Sequence, residues 1–201
     1  AGTSYYLKAD GASLSTSTNE SDASVFYCMK NGNGEYSYVF ISEAGKYLKY
    51  HGSSVSISEN TLTAEYTVAL NNFKVELMVD KTDNINSNLA ARLGTVCITT
   101  DNRASGNTTD GCYIIRNRNN PPTFDASGAP FHKDDLTSAI VMTEVENYTA
   151  PDAMLASALY ISKLNAKAHV EANQGSLGEG LGYANYTAGE TKITTAEDAI
   201  S

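Results

Sequence analysis

The residues of this 201-residue chain able to do chemistry are thirteen tyrosines, 23 carboxylates and three histidines. Tyr36, Tyr38, Tyr47, Tyr50 and Tyr66 carry rings able to stack on the apolar face of a sugar, although strand alternation sends about half of such rings into a core. His51, His132 and His169 are scattered, and none sits beside a Cys or Glu at zinc-ligand spacing, so no metal site is expected. Residues 80–88 are oxygen-rich, as calcium requires. They lack the aspartate spacing, central glycine and terminal glutamate of an EF-hand loop, and read as a polar loop. Gly178-Glu179-Gly180-Leu181-Gly182 has the glycine content of a phosphate loop but follows a helical pattern and has no lysine partner, so it reads as a linker. Asn19, Asn107, Asn147 and Asn185 head glycosylation sequons.

Catalytic signatures are missing from the sequence. It holds no G-x-S-x-G elbow, no H-E-x-x-H pair and no cysteine in a recognisable setting with histidine. Asp134 and Asp135 are adjacent, so they would not face each other across a scissile bond as a glycosidase needs. A noncatalytic protein without cofactor is expected. Cys28, Cys97 and Cys112 form no C-x-x-C pair. Cys97 and Cys112 would pair only if their strands were neighbours; buried free thiols are the favoured reading.

The formal charge of −9 argues against nucleic acid, whose phosphates demand lysine and arginine. No apolar run reaches the roughly 18 residues of a membrane span. The first residues show no charged-then-apolar signal pattern, and Ala1-Gly2-Thr3 reads as a trimmed end. Many Ser, Thr, Asn and Tyr, with no Trp, suit a strand-rich protein.

Three stretches, residues 6–14, 47–55 and 123–131, share one pattern: an apolar residue, glycine four positions later and another apolar residue three beyond. A hydrophobic run, read as the start of a later pair of strands, follows each, at Val25-Phe26-Tyr27, Tyr66-Thr67-Val68 and Ile140-Val141-Met142. Equivalent glycines lie 41 residues apart (Gly11 to Gly52) and then 76 (Gly52 to Gly128), so the second unit carries an insertion at about residues 69–106. Further strands are expected at 5–9, 25–30, 35–42, 73–79, 96–99 and 112–117. A hairpin is expected at Asn31-Gly32-Asn33-Gly34, because Asn-Gly accepts the positive φ of tight turns. Asn119-Asn120-Pro121-Pro122 breaks the ladder before the third unit.

Residues 1–150 therefore read as one β domain, whose three units could close a barrel and remove exposed edges. Residues 151–201 read as a helical hairpin opening a larger helical module. Pro151-Asp152 suits a helix start, Ile161, Leu164 and Ala168 recur at helical spacing, and Gly175 suits a stop. Ile193, Ala196 and Ile200 repeat that spacing.

Three units of this composition resemble the β-trefoil family. Gly45-Lys46-Tyr47-Leu48 and Tyr113-Ile114-Ile115-Arg116-Asn117 resemble the junctions of ricin-type and fascin-like repeats, over roughly residues 4–148. The Gln-x-Trp ending of ricin-type repeats is absent. The resemblance implies a lectin-like, carbohydrate-binding module of a larger multidomain bacterial protein, of Bacteroidetes type, that is secreted, displayed on the cell surface or periplasmic. It also implies a site. In ricin-type units an aspartate after the first apolar residue grips the sugar; Asp125 matches that position, and Lys8 and Lys49 replace it in the other units. Ser127, His132, Asp134 and Asp135 would stand near it on the following loop, and a glycan is the expected partner. The competing expectation is a structural or protein-interaction domain that docks on a neighbouring domain or a partner protein.

Overall fold

The computed structural model describes residues 3–49, 61–77, 95–100, 112–113, 140–169 and 171–172. It is mainly β, with antiparallel sheets and one C-terminal helix. The described strands do not close into a barrel.

Strands β1 (Tyr6–Asp10) and β2 (Ser13–Ser17) form a hairpin in which Asp10 faces Ser13. Gly11 has φ +60° and Ala12 does not share its positive sign, the pattern of a type II′ turn, which takes glycine at its first central position. Strands β3 (Phe26–Lys30), β4 (Tyr38–Ser42), β5 (Tyr47–Lys49) and β6 (Thr61–Thr63) form a second sheet in that order. The β3–β4 hairpin expected around Asn31-Gly32 exists, with Lys30 facing Tyr38 across a longer connection than an Asn-Gly turn needs. Gly32 supplies its positive φ, and the Asn31 N–H donates to Ser37 O at 2.6 Å.

The third sheet gathers strands from the expected insertion. Strand β8 (Thr95–Thr100) pairs on one edge with β7 (Lys74–Leu77) and on the other with β9 (Cys112–Tyr113) and β10 (Ile140–Val141). Just before β7, Phe73 exchanges two backbone hydrogen bonds with Tyr38, both 2.8 Å, and so joins this sheet to β4. Cys112 faces Thr100, three residues along β8 from Cys97. That offset is roughly 10 Å of strand, beyond the roughly 7 Å that a disulfide can bridge. The strands are neighbours, but their register separates the two cysteines.

Two sequence expectations change here. Tyr66-Thr67-Val68 is not a strand: Val68–Asn71 make the short helix α1, with Asn71 N–H donating to Thr67 O at 2.9 Å. Asn71, 1% exposed, secures this turn by accepting from the Thr67 N–H at 2.7 Å and donating to Leu48 O at 2.8 Å. Nor does the second unit copy the first hairpin. Tyr6 meets Ser17, six residues past Gly11, whereas Tyr47 meets Thr63, eleven past Gly52.

Strand β4 is the centre of the described structure because both of its faces are buried. Phe40 packs with Leu48, Leu62, Phe73 and Ile98, joined by Ala9, Leu14, Phe26 and Ile140 from the flanking strands. Phe40 and Phe73 meet edge to face at 6.0 Å, the arrangement that ring quadrupoles favour. On the other face Val39, Ile41 and Tyr47 pack against Met154, Ala158 and Ile161. These three lie on helix α2, residues 152–169, at spacings of four and three, as one helical face requires. The helix begins after Pro151, whose carbonyl accepts from the Leu155 N–H at 3.1 Å. Leu164 packs against the same cluster, but Ala168, read from the sequence as part of that face, is exposed. Without this helix one side of β4 would be bare, so the described core is not complete at residue 150. The second arm of the expected helical hairpin lies outside the described residues.

Candidate functional site

Helix α2 meets the sheet through a tight turn. Ser42 N–H donates to Lys46 O at 2.8 Å and Gly45 N–H to Ser42 O at 2.9 Å, which makes Glu43-Ala44-Gly45 a three-residue hairpin loop with glycine in the left-handed region, φ +70°. The turn rests on the first turns of α2. Ser157 Oγ donates to Gly45 O at 2.6 Å, and the Tyr47 hydroxyl donates to Ser157 O at 3.1 Å. Tyr148, just ahead of the helix, donates to Glu43 Oε1 at 2.5 Å.

Beside this joint lies a cleft of about 470 Å³, lined by Tyr47 from β5, Ala64, Glu65, Tyr66 and Thr67 from the β6–α1 connection, and Tyr160 from α2. That volume falls within the roughly 300–1,000 Å³ of small-ligand sites. Three backbone segments distant in sequence therefore share one wall of tyrosine. Tyr47 and Tyr66 are set edge to face, 5.4 Å apart at 62°. Tyr47 is only 3% exposed and forms the floor, Tyr66 is half-buried, and Tyr160 is 43% exposed at the rim.

The hydroxyls of the two inner tyrosines are occupied. Tyr66 OH donates to Asn72 Oδ1 at 2.5 Å and accepts from Asn31 Nδ2, while Asn72 Nδ2 donates to Tyr36 O at 3.2 Å. Tyr47 OH serves Ser157. Burial is the main cause that raises both phenols above their ordinary range, offset in part by these hydrogen bonds, so both stay neutral at physiological pH. With these hydroxyls engaged, Tyr47 lies buried beneath Tyr66, which is left to offer ring surface to a ligand. The polar groups left for it are different ones. Thr67 is the N-cap residue of α1 but its hydroxyl makes no capping bond. The carboxylate of exposed Glu65 and the Tyr160 hydroxyl have no partner among the described residues; the Glu65 N–H is held by Thr63 Oγ1 at 3.1 Å. Apolar ring faces edged by a carboxylate and hydroxyls suit a ligand with one apolar face and hydroxyl or amine donors at its rim.

Of the tyrosines singled out by sequence, Tyr47 and Tyr66 line this cleft. Tyr38 packs into the core around Phe40, and Tyr36 supplies a backbone acceptor to Asn72. Tyr50, His51, Asp125, Ser127, His132, Asp134 and Asp135 lie outside the described residues, as do residues 80–88 and 178–182. His169 ends the described run of α2, away from the cleft lining. Among the sequon asparagines, Asn19 accepts from the Ser21 N–H at 3.3 Å and Asn147 holds a positive φ of 56° in the turn before α2. Tyr160, Glu65 and Thr67 were not legible as site residues. Tyr160 sits beside buried Ile161 in a helical pattern, and only the docking of α2 brings it opposite residues 64–67.

Among the described residues no cluster of three or more His, Cys, Asp or Glu could hold a metal ion, and no helix is long and apolar enough to cross a membrane. No family model, curated protein or solved structure matches the chain.

Proposed function

We propose that this chain is a noncatalytic carbohydrate-binding module, built as a β-trefoil whose second unit is expanded, in a larger secreted or cell-surface bacterial protein. The observation that carries the reading is the cleft in which Tyr66 and Tyr160 present ring surface over buried Tyr47, beside the Glu65 carboxylate, which has no partner among the described residues. Sugars offer a matching surface: an apolar ring face and a rim of hydroxyl donors. The trefoil reading draws support from the core around Phe40, to which all three expected units contribute: Ala9, Leu14 and Phe26, then Leu48 and Leu62, then Ile140. The Asp125 loop, with Ser127, His132, Asp134 and Asp135, remains the proposed second contact region on the resemblance stated above.

The test is a glycan array probed with the whole chain, followed by titration of Tyr160→Ala and Asp125→Ala. Reproducible binding weakened by either substitution supports the module and locates its ligand. Binding unchanged in both variants removes both regions.

A second reading, an interaction domain that docks on another domain or protein, is favoured by a different surface. Val141, Met142 and Val145 are 70%, 44% and 52% exposed within one short segment, and clustered exposed apolar residues mark contact surfaces.

A further inference from the structure

Among the described residues that line it, the cleft has one formal charge. Among the described residues, exposed Glu65 has an unpaired carboxylate and no lysine, arginine or histidine lines the site. The other walls are tyrosine rings, one alanine and one threonine. With the two inner hydroxyls engaged, the cleft presents acceptor-rich polarity against negative ring faces, in a chain of formal charge −9. Carboxylates accept hydrogen bonds and favour cations, and aromatic faces attract cations and repel anions.

We propose that this cleft discriminates sugars by charge, taking neutral and amine-bearing rings and rejecting acidic ones, with Glu65 as the specificity-determining residue. The inference rests on the carbohydrate reading. An amine-bearing ring gains a charge-assisted bond to Glu65 while its apolar face lies on the tyrosines. A uronic acid would bring a second carboxylate to Glu65 with no cation among the described lining residues to neutralise it. Because Glu65 is exposed, water and salt screen the effect, which sets its size at about fivefold rather than thousandfold.

The experiment titrates the full chain, at pH 6 and low salt, with three tetrasaccharides: a neutral glucan, a fully deacetylated chitosan and a polygalacturonate. Wild type is expected to bind the chitosan tetramer tightest and the galacturonate weakest. Glu65→Gln should narrow the chitosan-to-galacturonate ratio about fivefold without moving Tm, and 0.5 M salt should narrow it in wild type. Tyr160→Ala should weaken both the neutral and the amino tetramer. Galacturonate binding equal to or tighter than chitosan binding, or a ratio unmoved by Glu65→Gln, overturns the charge selection but leaves the carbohydrate reading standing. Affinities indifferent to Tyr160→Ala place the sugar elsewhere and overturn the assignment to this cleft. Silence toward all three tetramers and toward a broad array overturns the carbohydrate reading, and this inference with it.

Discussion

Gly45 stands so close to Ala153 that a side chain at Gly45 would have nowhere to go: a Cβ there would lie 2.4 Å from the Ala153 carbonyl oxygen and 3.0 Å from Ser157 Oγ. The neighbour at 2.4 Å is helix backbone and cannot turn aside as a flexible side chain would. The positive φ of Gly45 adds a second penalty for any L-residue. Gly45→Ala is therefore expected to destabilise the fold by about 2–4 kcal/mol, read as a lower urea midpoint with unchanged slope. A loss under about 0.5 kcal/mol would show that the helix sits farther from the turn.

Ile161 is fully buried between α2 and the Val39–Ile41 face of β4. Ile161→Ala should cost about 2–5 kcal/mol. Ending the chain at residue 150 should cost more, because Val39, Ile41 and Tyr47 then lose their cover together. Circular dichroism melts of both variants check this, and an unshifted Tm in the shortened chain would show a sheet that is stable alone.

Alkaline pH should act through tyrosine. Tyr47 and Tyr66 are raised chiefly by burial, and Tyr148 is pushed up to about 12 by desolvation and then by the Glu43 carboxylate that its hydroxyl contacts. Above pH 10 the unfolded chain ionises these phenols before the native one does, so the native state holds more protons and stability falls as pH rises. Stability contributed by these groups should be intact below pH 10 and decline between 10 and about 12. Tyr148→Phe should flatten that decline in pH-dependent urea melts; an unchanged slope would separate Tyr148 from the effect.

Cys28 lies on β3 and is exposed as a residue, yet desolvation pushes its thiol up to about 11. Since the thiolate is the nucleophile, alkylation at Cys28 should be slow at pH 8 and accelerate toward pH 11. Peptide mass mapping of iodoacetamide-treated protein reads that rate directly. Rapid labelling at pH 8 would contradict the desolvated environment.

What could be read from the sequence was local. Gly11 marked the first hairpin, the Asn-Gly stretch marked the second, and Pro151 marked the start of α2, because each acts on backbone within a few residues. Strands near residues 73–79, 96–99 and 112–117 followed from their apolar and β-branched content. Tyr66-Thr67-Val68 differs from its expected strand because a three-residue run is too short for its periodicity to tell a strand from a helical turn. Asn71 decides between them through its hydrogen bonds to Thr67 and Leu48, the second of which crosses to another strand. The five-residue difference between the two hairpins depends on cross-strand pairing, which sequence spacing does not encode. Tyr160 joined the cleft for a comparable reason: its place depends on the packing of α2 upon a strand more than a hundred residues earlier.

That distance has a consequence for the birth of the protein. Tyr47 and Ser157, joined by a hydrogen bond, are separated by 110 positions. At roughly 5–20 residues per second of translation, Val39, Ile41 and Tyr47 leave the ribosome on the order of 5–20 s before the helix that shields them. For that interval the central strand carries an uncovered greasy flank in a crowded cell. That exposure makes the half-made chain prone to association until α2 docks.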